Sequence, residues 1–208
     1  MKKIILTAPL FSALALSAQK KDKGNNVFSG GVISVGARNT LSLFNGQDSQ
    51  TGFGMGGQFR IQFGNRLNTD WFMDYITAPV GNYANRSDNH IGWSVMYYFT
   101  APKDPQQFLK PYLLVGHCFD YTKITDNRDK NNFGERWSSA VQGGLGTHFN
   151  LTKRFDVSLT GQYMIHLGNQ ITATNVNEQV KFVNEKGSSL EGHLLMTVSM
   201  NYKIADLW

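Results

Sequence analysis

Residues 155–167 read FDVSLTGQYMIHL. In an extended chain, Phe155, Val157, Leu159, Gly161, Tyr163, Ile165 and Leu167 share one face. Asp156, Ser158, Thr160, Gln162, Met164 and His166 share the other. Alternation with period two marks a strand whose two faces meet different surroundings. Strands of soluble proteins average about 5–6 residues, whereas a tilted membrane strand needs about 9–11. The length of this run therefore points to a wall that crosses a bilayer.

The same pattern recurs on both sides. Near the end of the chain Leu190, Gly192, Leu194, Met196, Val198, Met200, Tyr202 and Ile204 alternate with Glu191, His193, Leu195, Thr197, Ser199, Asn201 and Lys203. Earlier, Phe53, Met55, Phe59, Ile61 and Phe63 oppose Gln58, Arg60 and Gln62. Further segments fall near 28–44, 69–79, 90–100, 111–122 and 136–149. In the segment 69–79 Phe72 and Ile76 travel with Asp74, which leaves its faces ambiguous. The whole describes an all-β chain: an eight-stranded antiparallel transmembrane β-barrel, wound as an up-and-down meander.

The first eighteen residues stand apart. Lys2 and Lys3 precede an apolar stretch from Ile4 to Leu16, and Ser17-Ala18 offers a small-residue cleavage site. That is the build of a secretory signal peptide, which divides the chain into a leader at 1–18 and a barrel domain at 19–208. No later stretch of about 18 apolar residues could form a spanning helix. The single cysteine, Cys118, excludes an internal disulfide framework. Net charge is +5, part of it in the leader, and the basic residues do not cluster with aromatics, which argues against a nucleic-acid partner. Charged residues make up 17 % of the chain, below the roughly 25 % of ordinary soluble domains.

Which face is wet follows from size. Eight strands enclose a lumen that side chains just fill. One face carries Phe53, Phe59, Trp93, Tyr97, Trp137 and Tyr163, while the other carries Gly36, Gly54, Gly56, Gly92, Gly116, Gly144 and Gly146 beside Ser, Thr and Gln. Small uncharged residues suit a cramped interior, so the bulky face points at lipid. Aromatics near strand ends, among them Phe99, Tyr112, Phe149, Phe155 and Tyr202 at one rim and Phe53, Trp93, Tyr121 and Trp137 at the other, are expected to form interfacial girdles. Connections near 45–52, 80–89, 123–135 and 169–189 read as long loops. Those near 65–68, 101–110 and 150–154 read as shorter turns.

With this architecture, with GGLGTHFNLTKRFDVSLTGQY at 143–163 as strand, turn and returning strand, and with Trp208 last, the chain resembles the small eight-stranded outer-membrane barrels typified by OmpX, OmpW and the membrane half of OmpA. The resemblance implies a cell outer membrane location, lipid as the surrounding partner, a monomer, and a role for Trp208 in recognition by the assembly machinery. It does not single out an extracellular or periplasmic partner.

Polar residues at Arg38, Gln58, Arg60, His90, Asp120, His166, Glu191 and His193 are expected to face the lumen, mostly toward the outer end. Buried polar groups must find partners, so the expected arrangement is a plug of hydrogen bonds and ion pairs with no cofactor. Two chemical alternatives share these residues. His166, Glu191 and His193 have ligand types suited to a metal. His166-Leu167-Gly168-Asn169 resembles the His-x-Ser-Asn signature of lipid A deacylases, but with Gly168 where that family has its nucleophilic serine. A soluble, lipocalin-like barrel with its apolar face inward stays open as a third reading. The favoured function is non-enzymatic: a structural, interaction or narrow-permeation role at the membrane.

Overall fold

The computed structural model describes residues 30–45, 51–100, 107–177, 179–185 and 192–206. The signal-peptide segment, Glu191 and Trp208 lie outside them. Barrel strands run β1 Val32–Asn45, β2 Thr51–Gln62, β3 Leu67–Val80, β4 Ala84–Tyr98, β5 Leu109–Asp126, β6 Phe133–Asn150 and β7 Phe155–Leu167. A short pair follows, β8 Gln170–Val176 and β9 Gln179–Glu185, before the closing strand β10 Gly192–Asp206. Eight of these close in the order β1-β10-β7-β6-β5-β4-β3-β2, every pair antiparallel, while β8 and β9 form a separate hairpin. Closure leaves no barrel strand with an unpaired edge, which satisfies the backbone in lipid.

Alternation predicts the facing of the barrel strands other than the segment 69–79, whose faces it leaves ambiguous. Phe53, Met55, Met73, Ile91, Phe119, Leu145 and Met200 are all more than half exposed on the outer wall. Arg38, Arg60, Asp74, His90, Asp120, Asp156 and His193 are buried inside. An apolar exterior around a charged interior excludes the soluble, inward-apolar alternative. Phe72 and Ile76 resolve inward beside Asp74, in an apolar layer with Cys118, Ala140, Met164 and Leu195. The inward glycines make room for large neighbours: a Cβ at Gly146 would meet the Tyr112 ring at 2.5 Å.

Several expectations need correction, the division into long loops and short turns among them: ten residues separate β4 from β5, read as a shorter turn, and six separate β5 from β6, read as a long loop. Tyr112 is not a girdle residue; it is buried in the lumen with Tyr98, Met96 and Leu114, and its hydroxyl lies 2.7 Å from Thr160 Oγ1. Trp93 pairs with Trp71 across β3 and β4, well below the rim assigned to it. The connection near 80–89 shrinks to three residues, because β4 starts at Ala84. Its first turns, Asn85-Arg86-Ser87-Asp88-Asn89, are polar on both faces, so the strand continues where the alternation has stopped. Outward residues there meet water rather than lipid, which removes the signal without removing the hydrogen-bonded ladder.

The segment 169–189, read as an open loop, contains the β8–β9 hairpin instead. Ile171, Ala173 and Val180 bury against Val80, Ala84 and Ile124, with Tyr83 and Phe182 packed alongside. The Tyr83 hydroxyl donates to the Ala173 carbonyl at 3.0 Å, and Asn132 Nδ2 to the Val180 carbonyl at 3.0 Å. The hairpin thus docks on the end of the barrel away from Val32 and Asp206, called here the distal end; the other is the terminal end.

Candidate functional site in the barrel lumen

The polar residues expected to form one outer cluster separate into three. At the terminal end, Arg60 pairs with Asp156 at 2.5 Å and lies 2.9 and 3.0 Å from the ring nitrogens of His148, whose Nδ1 is 2.6 Å from Ser158 Oγ. Gln58 belongs here too, donating to Asn201 at 2.7 Å and to Ser199 at 3.2 Å, rather than at the outer end. Midway, Arg38 meets Asp74 at 3.0 Å and Asp70 at 3.5 Å, with its guanidinium over the Phe72 ring. Of the expected set, His90, Asp120, His166 and His193 remain together in the distal part, while Glu191 lies outside the described residues.

There β4 and β5 set His90 and Asp120 side by side in register. Asp120 is the hub. His166 Nδ1 approaches its Oδ2 at 3.0 Å, His90 Nε2 its Oδ1 at 3.3 Å, Arg136 its Oδ2 at 3.7 Å, and the Ser138 and Thr122 hydroxyls each donate to Oδ2 at 3.2 Å. On the far side His166 Nε2 and His193 Nε2 stand 3.2 Å apart, and His193 Nδ1 is 2.8 Å from Ser42 Oγ. Arg86, whose Nε–H is shared by the two carboxylate oxygens of Asp88 at 2.9 and 3.0 Å, closes the network distally and stacks on Phe44.

One chain of bonds therefore joins Ser42, His193, His166 and Asp120. With both imidazoles neutral its direction is set: His166 Nδ1–H donates to the carboxylate, His193 Nε2–H donates to His166 Nε2, and the Ser42 hydroxyl donates to His193 Nδ1. Serine, histidine and carboxylate are all present, but Ser42 is fully buried and no substrate carbonyl could reach it. The deacylase-like motif fares no better. His166 points into the lumen, and Gly168 has φ 144°, a conformation that a serine would adopt only under strain.

His90 is expected in the outer-end plug but not in the histidine set with His166 and His193, where the structure places it. Parity places all three inward, but which strands become neighbours around the barrel, and at what register, brings β4 across to β7 and β10. The polar residues leave little space. Two cavities along the lumen have room of about 20 Å³ each, enough for about one water apiece.

A closed eight-stranded wall with lipid-facing apolar residues and a filled charged lumen defines a small integral outer-membrane barrel. The family model for the outer membrane protein beta-barrel domain matches residues 6–182, and the chain belongs to that family. Neisserial surface protein A has a similar fold, with TM-score 0.54, 15 % identity, and coverage of 83 % of this chain and 97 % of that one. The outer membrane protein OprG from Pseudomonas aeruginosa is similar at TM-score 0.54 and 14 % identity, over 84 % of this chain and 96 % of OprG. A major outer membrane protein from Thermus thermophilus is similar at TM-score 0.54 and 10 % identity, over 83 % of this chain and 99 % of that one. At such identities the likeness concerns the fold. No curated protein matches the chain in sequence.

Proposed function

We propose that the protein is a closed, non-enzymatic barrel of the outer membrane that acts through its outer surface, as a structural and interaction element and not as a pore. The observation that carries this reading is the filling of the lumen at successive levels. Tyr98, Tyr112 and the Arg60–Asp156 pair fill the terminal part around His148, then come Arg38–Asp74 and the layer of Phe72, Ile76, Met164 and Leu195, and finally Asp120 with its histidines. A solute would have to break several buried ion pairs in turn, each costly to leave half-made. The docked β8–β9 hairpin supports a surface role, because it offers a formed platform: Val176, Lys181 and Val183 are exposed on it.

Planar bilayer recordings on the refolded protein, with mass spectra of lipid A from expressing cells, test the reading. The expected result is no stable conductance and unchanged lipid A. Reproducible open-channel steps would refute the closed lumen, and a deacylated lipid A confined to expressing cells would refute the non-enzymatic role.

A further inference from the structure

We propose that His90, His166 and His193, with the thioether of Met164 beside them, form a binding site for a copper(I) ion inside the distal half of the barrel. The three are buried, and one ring nitrogen from each lies within 4.8 Å of the others. Nitrogens bound to a tetrahedral ion at about 2.0–2.1 Å stand about 3.4 Å apart. His166 Nε2 and His193 Nε2 already meet that spacing at 3.2 Å. The remaining adjustment falls on His90, whose Nδ1 is buried without a hydrogen-bond partner among the described residues.

The surroundings are those of a ligand set held from behind. A metal-binding imidazole ordinarily gives its other N–H to a carboxylate or another oxygen, which fixes ring and tautomer. His166 Nδ1 has Asp120, and His193 Nδ1 has Ser42. Without an ion the two Nε2 atoms must share one proton between them. Binding an ion there requires only that His193 carry its proton on Nδ1 and that Ser42 accept instead of donating.

Charge and softness select the ion. In the distal half Arg86 and Arg136 face Asp88 and Asp120, and at mid-height Arg38 faces Asp74, so the fixed charges around the histidines balance. A monovalent cation then adds less unbalanced charge than a divalent one in a medium where such charge is costly. Met164 Sδ lies 3.4 Å from His193 Nε2, and Cys118, the only cysteine of the chain, lies 3.6 Å beyond it. Imidazoles beside a thioether favour copper(I) over harder ions. The other two histidines are elsewhere, His117 on the outer wall and His148 beside Arg60. This site is independent of the surface role proposed above.

The test uses the full mature chain, refolded in detergent–lipid micelles and freed of metal. Copper(I) is titrated anaerobically against the chelator bicinchoninate, with Zn²⁺ in parallel, and X-ray absorption of the loaded protein identifies the ligands. Heat-modifiable gel migration confirms that each variant is folded. The expected result is one copper(I) per barrel with nitrogen and sulfur ligands. His166→Gln/His193→Gln abolishes binding, His117→Ala/His148→Ala retains it, and Asp120→Asn weakens it about 10–100-fold. If the double glutamine variant does not fold, Met164→Leu decides, by removing sulfur from the absorption spectrum. Substoichiometric binding, binding kept by the folded double glutamine variant, or a spectrum without sulfur in the wild type would overturn the proposal. Preference for Zn²⁺, unaffected by Met164→Leu, would overturn the assignment to copper(I).

Discussion

Toward the chain termini the lumen sets Arg60, Lys110 and Lys203 near two carboxylates, Asp156 and Asp70, and fills the rest with amides, hydroxyls and two tyrosines. In the distal half Arg86 and Arg136 meet Asp88 and Asp120, and two histidines, His90 and His166, gather on Asp120. Both halves are lined by the same alternating strands. They differ in how a charge is shared. Asp156 has one guanidinium at short range and two longer neutral donors, Asn201 Nδ2 at 3.3 Å and Ser158 Oγ at 3.4 Å, whereas Asp120 has five neighbours on four strands. A buried charge with one charged partner is a point of fragility; a buried charge shared among several is a hub whose members can be rearranged.

Urea unfolding of the barrel refolded in lipid vesicles can break this distinction. The largest loss is expected for Arg60→Met, about 3–5 kcal/mol, the usual cost of stranding a buried ion partner. A cost below about 1 kcal/mol would show that Lys110 or Lys203 takes over, and the contrast between the halves would dissolve. Next comes the outer wall, as a reference for what lipid alone demands: Leu159→Arg is expected to cost about 2–4 kcal/mol near the bilayer midplane. If Leu159→Arg were neutral while Thr160→Ala was severe, the facing of the strands would be inverted.

Asp120→Asn should cost less, about 1–3 kcal/mol, because it removes a charge shared among several neighbours while keeping an acceptor for them. A loss larger than that of Arg60→Met would reverse the comparison. The smallest effect is expected between the two networks, where Thr40 Oγ1 and Thr197 Oγ1 share one neutral hydrogen bond at 3.0 Å. Thr197→Ala should cost about 0.5–1.5 kcal/mol. A much larger value would mean that the halves are coupled through this layer.

The alternation in FDVSLTGQYMIHL and its relatives was enough to determine the number of barrel strands, their antiparallel order and the inward facing of Arg38, Gln58, Arg60, His166 and His193. The physical reason is that side-chain direction in a strand depends only on parity, and parity is written in the chain. Where both faces are polar, as in Asn85–Asn89 with Arg86 and Asp88 toward the lumen, the parity signal vanishes and the strand end is illegible. The same holds for β8 and β9, whose short runs pack on a neighbouring turn and not on a bilayer. Tyr112 is misplaced when an aromatic at a strand end is read as a girdle residue; giving its parity precedence sends it inward.

The grouping of the polar residues was a tertiary matter. Arg38, Gln58, Arg60, His166 and His193 all face inward by sequence, yet they divide among three networks, and His90 enters the distal one from a strand far away in the chain. Height along the barrel depends on register accumulated strand by strand around a closed wall, and proximity across the lumen depends on that closure. Neither quantity exists until β1 has paired with β10.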